Sequence, residues 1–545
     1  MNAPRPISTA RGLGAYAVCG ALAFLFFLRP IHDDDVWLHF AVGRWILDHG
    51  EIPRVDLFSC TAPGVPYVDH EWLAQVITEW VRAAFGLGAF RALMAGAAAA
   101  AFVVLARTTH RLTGSALAPI VVTLSALAFD WHLARLRPHL LTLLCTAILI
   151  DRFVVAVPNT PLRSRRDGLP SAGAAAGLCV LMVFWGNVHA AAVIAPAILG
   201  VATMGAWIGA ESARAARLAV LSAASALLLL VNPYGFDVVT YAFETQGMAE
   251  LIPEWKSPLV LVTDPREIAR MTPGNDFRAT LAMLALAAAV VFPLAIWALV
   301  AARRAAARGA PAPVDPALGA AGAALVALAF TANRHDLFLF VGTLFAAHAL
   351  AELGASGPRA AGLSRGLGAL AGIVASLALA RDAALRIPLY VEATGSAFGI
   401  VWPAHEPFVA VDLVEKAGLE GACLNRPPWG GYLLYRCFPK VTVAFDGRIT
   451  TLGADVYRDI RDLIEGRRTQ EVLARYSFDF LVLPPYVLGY GKPREDPQYQ
   501  APQLGADWVE VYRDPDVARE GSAVIALRRG SPRFEANLAR MRALK

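Results

Sequence analysis

Three consecutive aspartates, Asp33, Asp34 and Asp35, follow His32 at the end of an apolar run, and His39 stands four residues beyond the last of them. Four residues is one helical turn, so Asp35 and His39 project from one face if the segment is helical. Carboxylates in a water-poor cleft act as a general base or ligate a divalent cation. An aspartate with a histidine suits Mn or Zn, while an all-oxygen set suits Mg. Glu254, next to Trp255, is a candidate to join such a metal or acceptor site. The ordinary alternative is a solvated acidic exit from a membrane beside an aromatic belt. The residues alone leave both readings open.

Two amphipathic stretches must position these groups. The first runs from about Val36 to His49, with Trp37, Phe40, Ala41 and Trp45 at helical spacing, as in a helix lying in a membrane interface. The second, Glu71–Ala84, sets Trp72, Val76 and Trp80 against Gln75, Glu79 and Arg82. A Pro/Gly-rich segment between them ends in Asp69-His70-Glu71-Trp72.

The rest of the chain explains why a membrane is invoked. Of 545 residues 57% are hydrophobic and only 17% charged, with a mean hydropathy of +0.49. A soluble chain carries about a quarter charged residues. Long apolar runs fill the region up to residue 380, whereas 385–545 has soluble composition. No basic stripe with interleaved aromatics points to nucleic acid. A crossing helix needs roughly 20 apolar residues. Candidate spans are 12–31, 86–106, 115–131, 138–157, 172–190, 191–210, 217–232, 279–301, 317–333, 335–352 and 364–381, about eleven in all; 172–210 also reads as one span and a re-entrant piece. Arg5 and Arg11 precede the first run as in a signal peptide, but no small-residue cleavage site follows, so an uncleaved span is expected.

Arginines set the orientation. With the N-terminus in the cytoplasm, Arg107 and Arg111, Arg163 to Arg166, Arg214 and Arg217, Arg303 to Arg308, and Arg359 and Arg365 all fall inside. An odd count then exports the C-terminal part. The expected organisation is a transmembrane domain, 1–384, with long outer loops 32–71 and 233–278, followed by an extracytoplasmic α/β domain, 385–545. In that domain Ala422–Asn425, Val441–Phe445, Phe480–Leu483, Trp508–Tyr512 and Ala523–Leu527 read as strands, with helices near 430–437 and 455–476. Trp429-Gly430-Gly431 reads as a structural turn or a close-approach site, and Asp446-Gly447-Arg448 as an Asp–Arg pair or a ligand site at a strand end. Cys423 and Cys437 are candidates to pair in an oxidising compartment.

Asp33 to His39, Gly43, Asp56, Phe58-Ser59 and His70-Glu71-Trp72 together resemble the first outer loop of bacterial GT-C-type membrane glycosyltransferases. That group is distantly similar to the oligosaccharyltransferase catalytic subunit, the protein O-mannosyltransferases and the aminoarabinose transferase. Further resemblance lies at Arg137-Pro138-His139, Trp185 to His189, Asn232 to Gly235, Glu254-Trp255, Trp429 to Tyr432 and Asp446 to Arg448. It implies a multi-span GT-C fold in the bacterial inner membrane, a polyprenyl-phosphate sugar donor, and a glycan, lipid or protein acceptor. It also implies an acidic residue in the first outer loop as catalytic base or acceptor activator, and often a divalent metal. Asp33 and Asp35 match the outer aspartates of the motif, and Asp35 is ranked first. Asp34 stands where proline is common, which leaves open which of the three acts.

A lipid phosphate needs cations near headgroup depth on the outer face. Arg135, Arg137 and His139 at one outer turn, and Arg334 and His335 at another, meet that need, since arginine grips phosphate oxygens bidentately. Headgroup snorkelling is the competing explanation. Trp37, His70, Glu71, Asn187 and His189 complete the expected substrate site, although Asn187 and His189 equally suit an interhelical hydrogen bond. Asp35, His39 and Glu254 are the candidate metal ligands. A non-catalytic lipid-glycan transporter or an assembly scaffold with the same fold is the alternative. A transporter should show internal repeats with broken helices, and none is evident.

Overall fold

The computed structural model of the protein describes residues 9–129, 135–155, 172–248, 251–252, 255–264, 277–394, 396, 399–401, 406–490, 501–502, 504–517, 519 and 521–544. Glu254 lies outside these residues. The chain divides into two compact units: Met1–Arg29 with Arg91–Leu389, and Pro30–Phe90 with Tyr390–Lys545.

The first unit is helical. Long runs of Ala, Leu and Val carry no polar group that competes with the backbone, so helix is their natural state in an apolar medium. Among the described residues five helices are long and apolar enough to cross a membrane: Trp72–Thr113, Ala190–Ile208, Thr280–Ala306, Asn333–Gly354 and Pro358–Glu392. Gly12–Phe27, Ala118–Ala128, Ala172–Val188 and Pro316–Ala329 are shorter apolar helices. The expected spans 138–157 and 217–232 fall on His139–Leu149, which runs on as the π turn Ile150–Val154, and on Ser212–Leu228. The ambiguous stretch 172–210 is two helices that meet at His189, whose backbone is extended at φ −167°. Helix Trp72–Thr113 joins the amphipathic stretch to the apolar one, with a break at Gly86, where φ is 84° and ψ 175°.

The second unit is built on a five-stranded sheet of order β2-β1-β3-β5-β4, with β1 Gly421–Asn425, β2 Val441–Val443, β3 Phe480–Leu483, β4 Trp508–Arg513 and β5 Val524–Arg528. β1 pairs in parallel with β2 and β3, while β5 runs antiparallel to β3 and β4. All five expected strands are present. Parallel pairing requires a crossover, and helix Gly430–Cys437 supplies it between β1 and β2. The helix expected over 455–476 is two, Ala454–Ile464 and Thr469–Arg475, because Gly466 turns the chain with φ 75°.

The first long loop completes this sheet. Val443 N–H donates to Phe58 O at 3.1 Å and Cys60 N–H to Val443 O at 2.8 Å, so Phe58–Cys60 covers the outer edge of β2. Helix Asp35–His49 packs on helix Gly430–Cys437. Trp37, Phe40 and Ala41 are buried there, so the face expected at headgroup depth is covered by protein instead. An amphipathic period states only that one face is apolar, and either partner satisfies it. The six cysteines are thiols. Burial holds the Cys437 thiol up at about 12.

Candidate functional site

In the second unit, the motifs of the first loop and of the C-terminal part meet. Asp35 is the first residue of helix Asp35–His49, and its N–H donates to Asp33 Oδ1 at 3.1 Å. Acidic groups suit this end of a helix, where backbone N–H groups leave partial positive charge. Three glycines admit the close fit. A Cβ on Gly431 would lie 2.9 Å from Asp34 O, one on Gly430 would overlap Phe445 O, and one on Gly447 would overlap Asp35 Oδ1. Gly430 and Gly431 are the first residues of the helix expected near 430–437, and a side chain at either would meet neighbouring backbone.

Beneath them, Arg448 ties loop to sheet. Its Nη2 lies 2.7 Å from Asp56 Oδ1 and 2.7 Å from Asp446 Oδ2, and its Nε donates to Asp446 Oδ1 at 3.0 Å. Asp56 also accepts from the N–H and Oγ of Ser59. Asp446-Gly447-Arg448 is thus an Asp–Arg pair, and a third motif residue, Asp56, joins it.

Asp69 is buried and accepts from Gln75 Nε2 at 2.9 Å. Burial pushes its carboxyl up to about 7. Glu71 sits between two imidazoles, 3.7 Å from His39 Nδ1 and 3.8 Å from His70 Nε2. Trp37 packs edge-on to Tyr432 at 5.1 Å, beside Tyr435 at 5.2 Å and Phe408 at 6.5 Å. With Arg436 these rings line a cavity of ≈ 430 Å³.

Sequence reasoning missed Glu406. It is buried beside Asp34, and burial followed by the charge of Asp34 raises its pKa well above the usual carboxylate range, against the pull of Arg426. A single carboxylate in a loop carries no pattern that would have found it.

In the first unit, the expected basic turns come together with the second long loop. Turn Asn333–Phe338 packs against helix His139–Leu149, which places Arg137 and His139 at the start of a neighbouring helix. Asn333 N–H donates to Lys256 O at 2.9 Å, the Arg334 guanidinium lies 4.5 Å over the Trp255 ring, and His335 meets that ring edge-on at 5.8 Å. His335 Nδ1 is 3.0 Å from Thr331 Oγ1. Arg135 and Arg137 are both half-buried. Asn187 donates to Val183 O and Val231 O at 2.7 and 2.8 Å, and His189 and Trp185 share Thr142 Oγ1, each at 2.9 Å. The bond to Val183 lies within one helix, whereas those to Thr142 join two helices.

No family model matches the chain, and no curated protein matches it in sequence. Solved structures do. The apo oligosaccharyltransferase of Archaeoglobus fulgidus is similar over 88% of this chain and 70% of its own, at 12% identity and a TM-score of 0.54. The same organism's AglB, solved with an inhibitory peptide and a dolichol-phosphate, is similar over 87% of this chain and 69% of its own, at 13% identity and a TM-score of 0.54. Apo ArnT from Cupriavidus metallidurans is similar over 95% of this chain and 98% of its own, at 15% identity and a TM-score of 0.50. The fold is that of the GT-C transferases.

Among the described residues no three His, Cys, Asp or Glu side chains group to hold an ion. Of the expected ligands, Glu254 lies outside the described residues, and His39 faces Glu71.

Proposed function

We propose that this GT-C protein is a glycosyltransferase that moves a sugar from a polyprenyl-phosphate carrier to an acceptor hydroxyl at the outer face of the bacterial inner membrane. The chain crosses the bilayer about eleven times, with its N-terminus cytoplasmic and its C-terminal sheet outside, in line with the arginine distribution. The observation that carries the reading is the packing of Asp35 against Gly447 and of Gly431 against Asp34. It fixes an acidic helix start among the motifs that resemble those of the transferases.

The chemistry needs two things. The acceptor hydroxyl must lose a proton as its oxygen attacks the anomeric carbon, and the lipid phosphate must leave with its charge compensated. Asp35, or Asp33 beside it, takes the proton. Arg137 and Arg334 hold the departing phosphate, with Arg135, His139 and His335 adding positive or hydrogen-bonding groups at the same two turns. The dolichol-phosphate in the archaeal AglB structure supports a lipid-phosphate ligand.

The test is sugar transfer by purified protein from labelled polyprenyl-phosphate sugars. Asp35→Asn is expected to lower kcat by about 10²–10⁴-fold and Asp33→Asn by less. Full activity in both variants overturns the base assignment. Donor binding without transfer in wild type points to the scaffold instead.

A further inference from the structure

Three arginines of the first unit converge on one buried carboxylate. Asp151, in the π turn Ile150–Val154, is 3% exposed. Arg111 Nη1 lies 2.7 Å from its Oδ1, Arg152 Nε 3.2 Å from its Oδ2, and Arg107 Nη1 3.9 Å from Oδ2. Thr108 Oγ1 donates to Oδ1 at 2.6 Å. Beside them Tyr16 Oη and His110 Nδ1 are 2.7 Å apart.

Three guanidiniums on one carboxylate leave an excess of two positive charges at the end of an apolar helix. Arginines that merely ring a cytoplasmic membrane face spread apart. These are held together by a shared anchor, so their mutual repulsion is built in and an anion would relieve it. A guanidinium has five N–H donors, more than a share of one carboxylate can use. The outward sides of Arg107 and Arg152 are accessible, with side chains 43% and 54% exposed. Val103, one turn before Arg107 on the same helical face, is a 36% exposed apolar residue. A cation with an exposed apolar residue one turn away suits a phosphate with an acyl chain attached.

The geometry points to a binding site for the phosphate of an anionic phospholipid, formed by Arg107, Arg111 and Arg152 on Asp151. Basic pockets at the cytoplasmic ends of spans recognise such headgroups. The site is separate from sugar transfer and does not depend on it.

Native mass spectrometry of the full-length protein tests this, with phosphatidylglycerol, cardiolipin, phosphatidylcholine and inorganic phosphate as probes. Wild type is expected to retain the two anionic lipids over phosphatidylcholine. Arg107→Gln with Arg152→Gln should lower that retention by roughly tenfold or more. Arg359→Gln with Arg365→Gln removes the same charge elsewhere and should not. If the first pair aggregates, Arg152→Gln alone should show a smaller loss. Equal retention by both doubles overturns the site, as does wild type holding phosphatidylcholine equally well. Binding of inorganic phosphate as tight as that of the lipids overturns the lipid assignment.

Discussion

The carboxylate of Asp35 occupies the space into which a side chain at Gly447 would have to grow. Gly447 is exposed, so no core packing forbids a methyl group there; only Asp35 does. The obstacle is the tip of a mobile side chain, so Gly447→Ala should swing the carboxylate aside at little cost to folding. If Asp35 is the base, kcat should fall about 10–100-fold with KM and melting temperature nearly unchanged. Unaltered kcat would mean that the observed position of Asp35 is not the working one.

Gly430 and Gly43 make the opposite case. A Cβ on Gly430 would overlap Phe445 O and one on Gly43 would overlap Gln75 O, both backbone atoms fixed by their own elements. Neither can swing away, so Gly430→Ala and Gly43→Ala should each destabilise the fold by about 1–3 kcal/mol. Thermal melting in detergent reads the loss, and a melting point within a degree of wild type would refute the close approach.

These contacts also show how far the sequence could be read. Local patterns sufficed for what is local: the five strands, and the helix that begins at Asp35. The pairing of Gly447 with Asp35, or of Arg448 with Asp56, joins positions about four hundred residues apart, and no periodicity encodes that. Trp37 and Phe40 declared an apolar face but not its partner, helix Gly430–Cys437. Glu406 offered nothing beyond its type. The glycines of Trp429 to Tyr432 were visible as small residues, yet only the neighbouring backbone explains them.

Arg448 is the tie between loop and sheet, and its two buried carboxylate partners make it hard to replace. Arg448→Leu strands Asp56 and Asp446 in a low-dielectric site, with an expected cost of about 3–5 kcal/mol. Asp56→Asn keeps a hydrogen-bonding group and leaves the Asp446 pair intact, so it should cost less. A double-mutant cycle over Arg448 and Asp56 checks this. Additive losses would mean the 2.7 Å pair does not couple.

Asp69 sets a pH dependence. Its carboxyl in the folded protein is raised from 3.8 to about 7, mainly by burial. Between those values the unfolded chain has lost the proton that the native state keeps, so native protein binds more protons and stability falls as pH rises. The favourable contribution is complete below about pH 4 and is gone once pH passes about 7. The steepest slope for one group is about 1.4 kcal/mol per pH unit. Asp69→Asn should flatten that part of the stability–pH curve, read from detergent melts between pH 4 and 8. A variant with the wild-type slope would show that Asp69 is ionised in the folded state.

The Arg334 guanidinium lies 4.5 Å over the face of Trp255, a cation–π contact that restricts where the guanidinium can sit. Under the proposed reaction Arg334 holds the lipid phosphate, so the ring acts by positioning the arginine and not by touching substrate. Trp255→Leu keeps apolar bulk but removes the π face, and should raise KM for the lipid donor about three- to tenfold with kcat largely retained. Arg334→Lys should not restore binding, because an ammonium has neither the planar fork nor the stacking surface. Steady-state kinetics with varied donor separate the two parameters. If Trp255→Leu and Arg334→Lys both leave KM for the donor unchanged, the phosphate is held elsewhere, and Arg137 becomes the next residue to substitute.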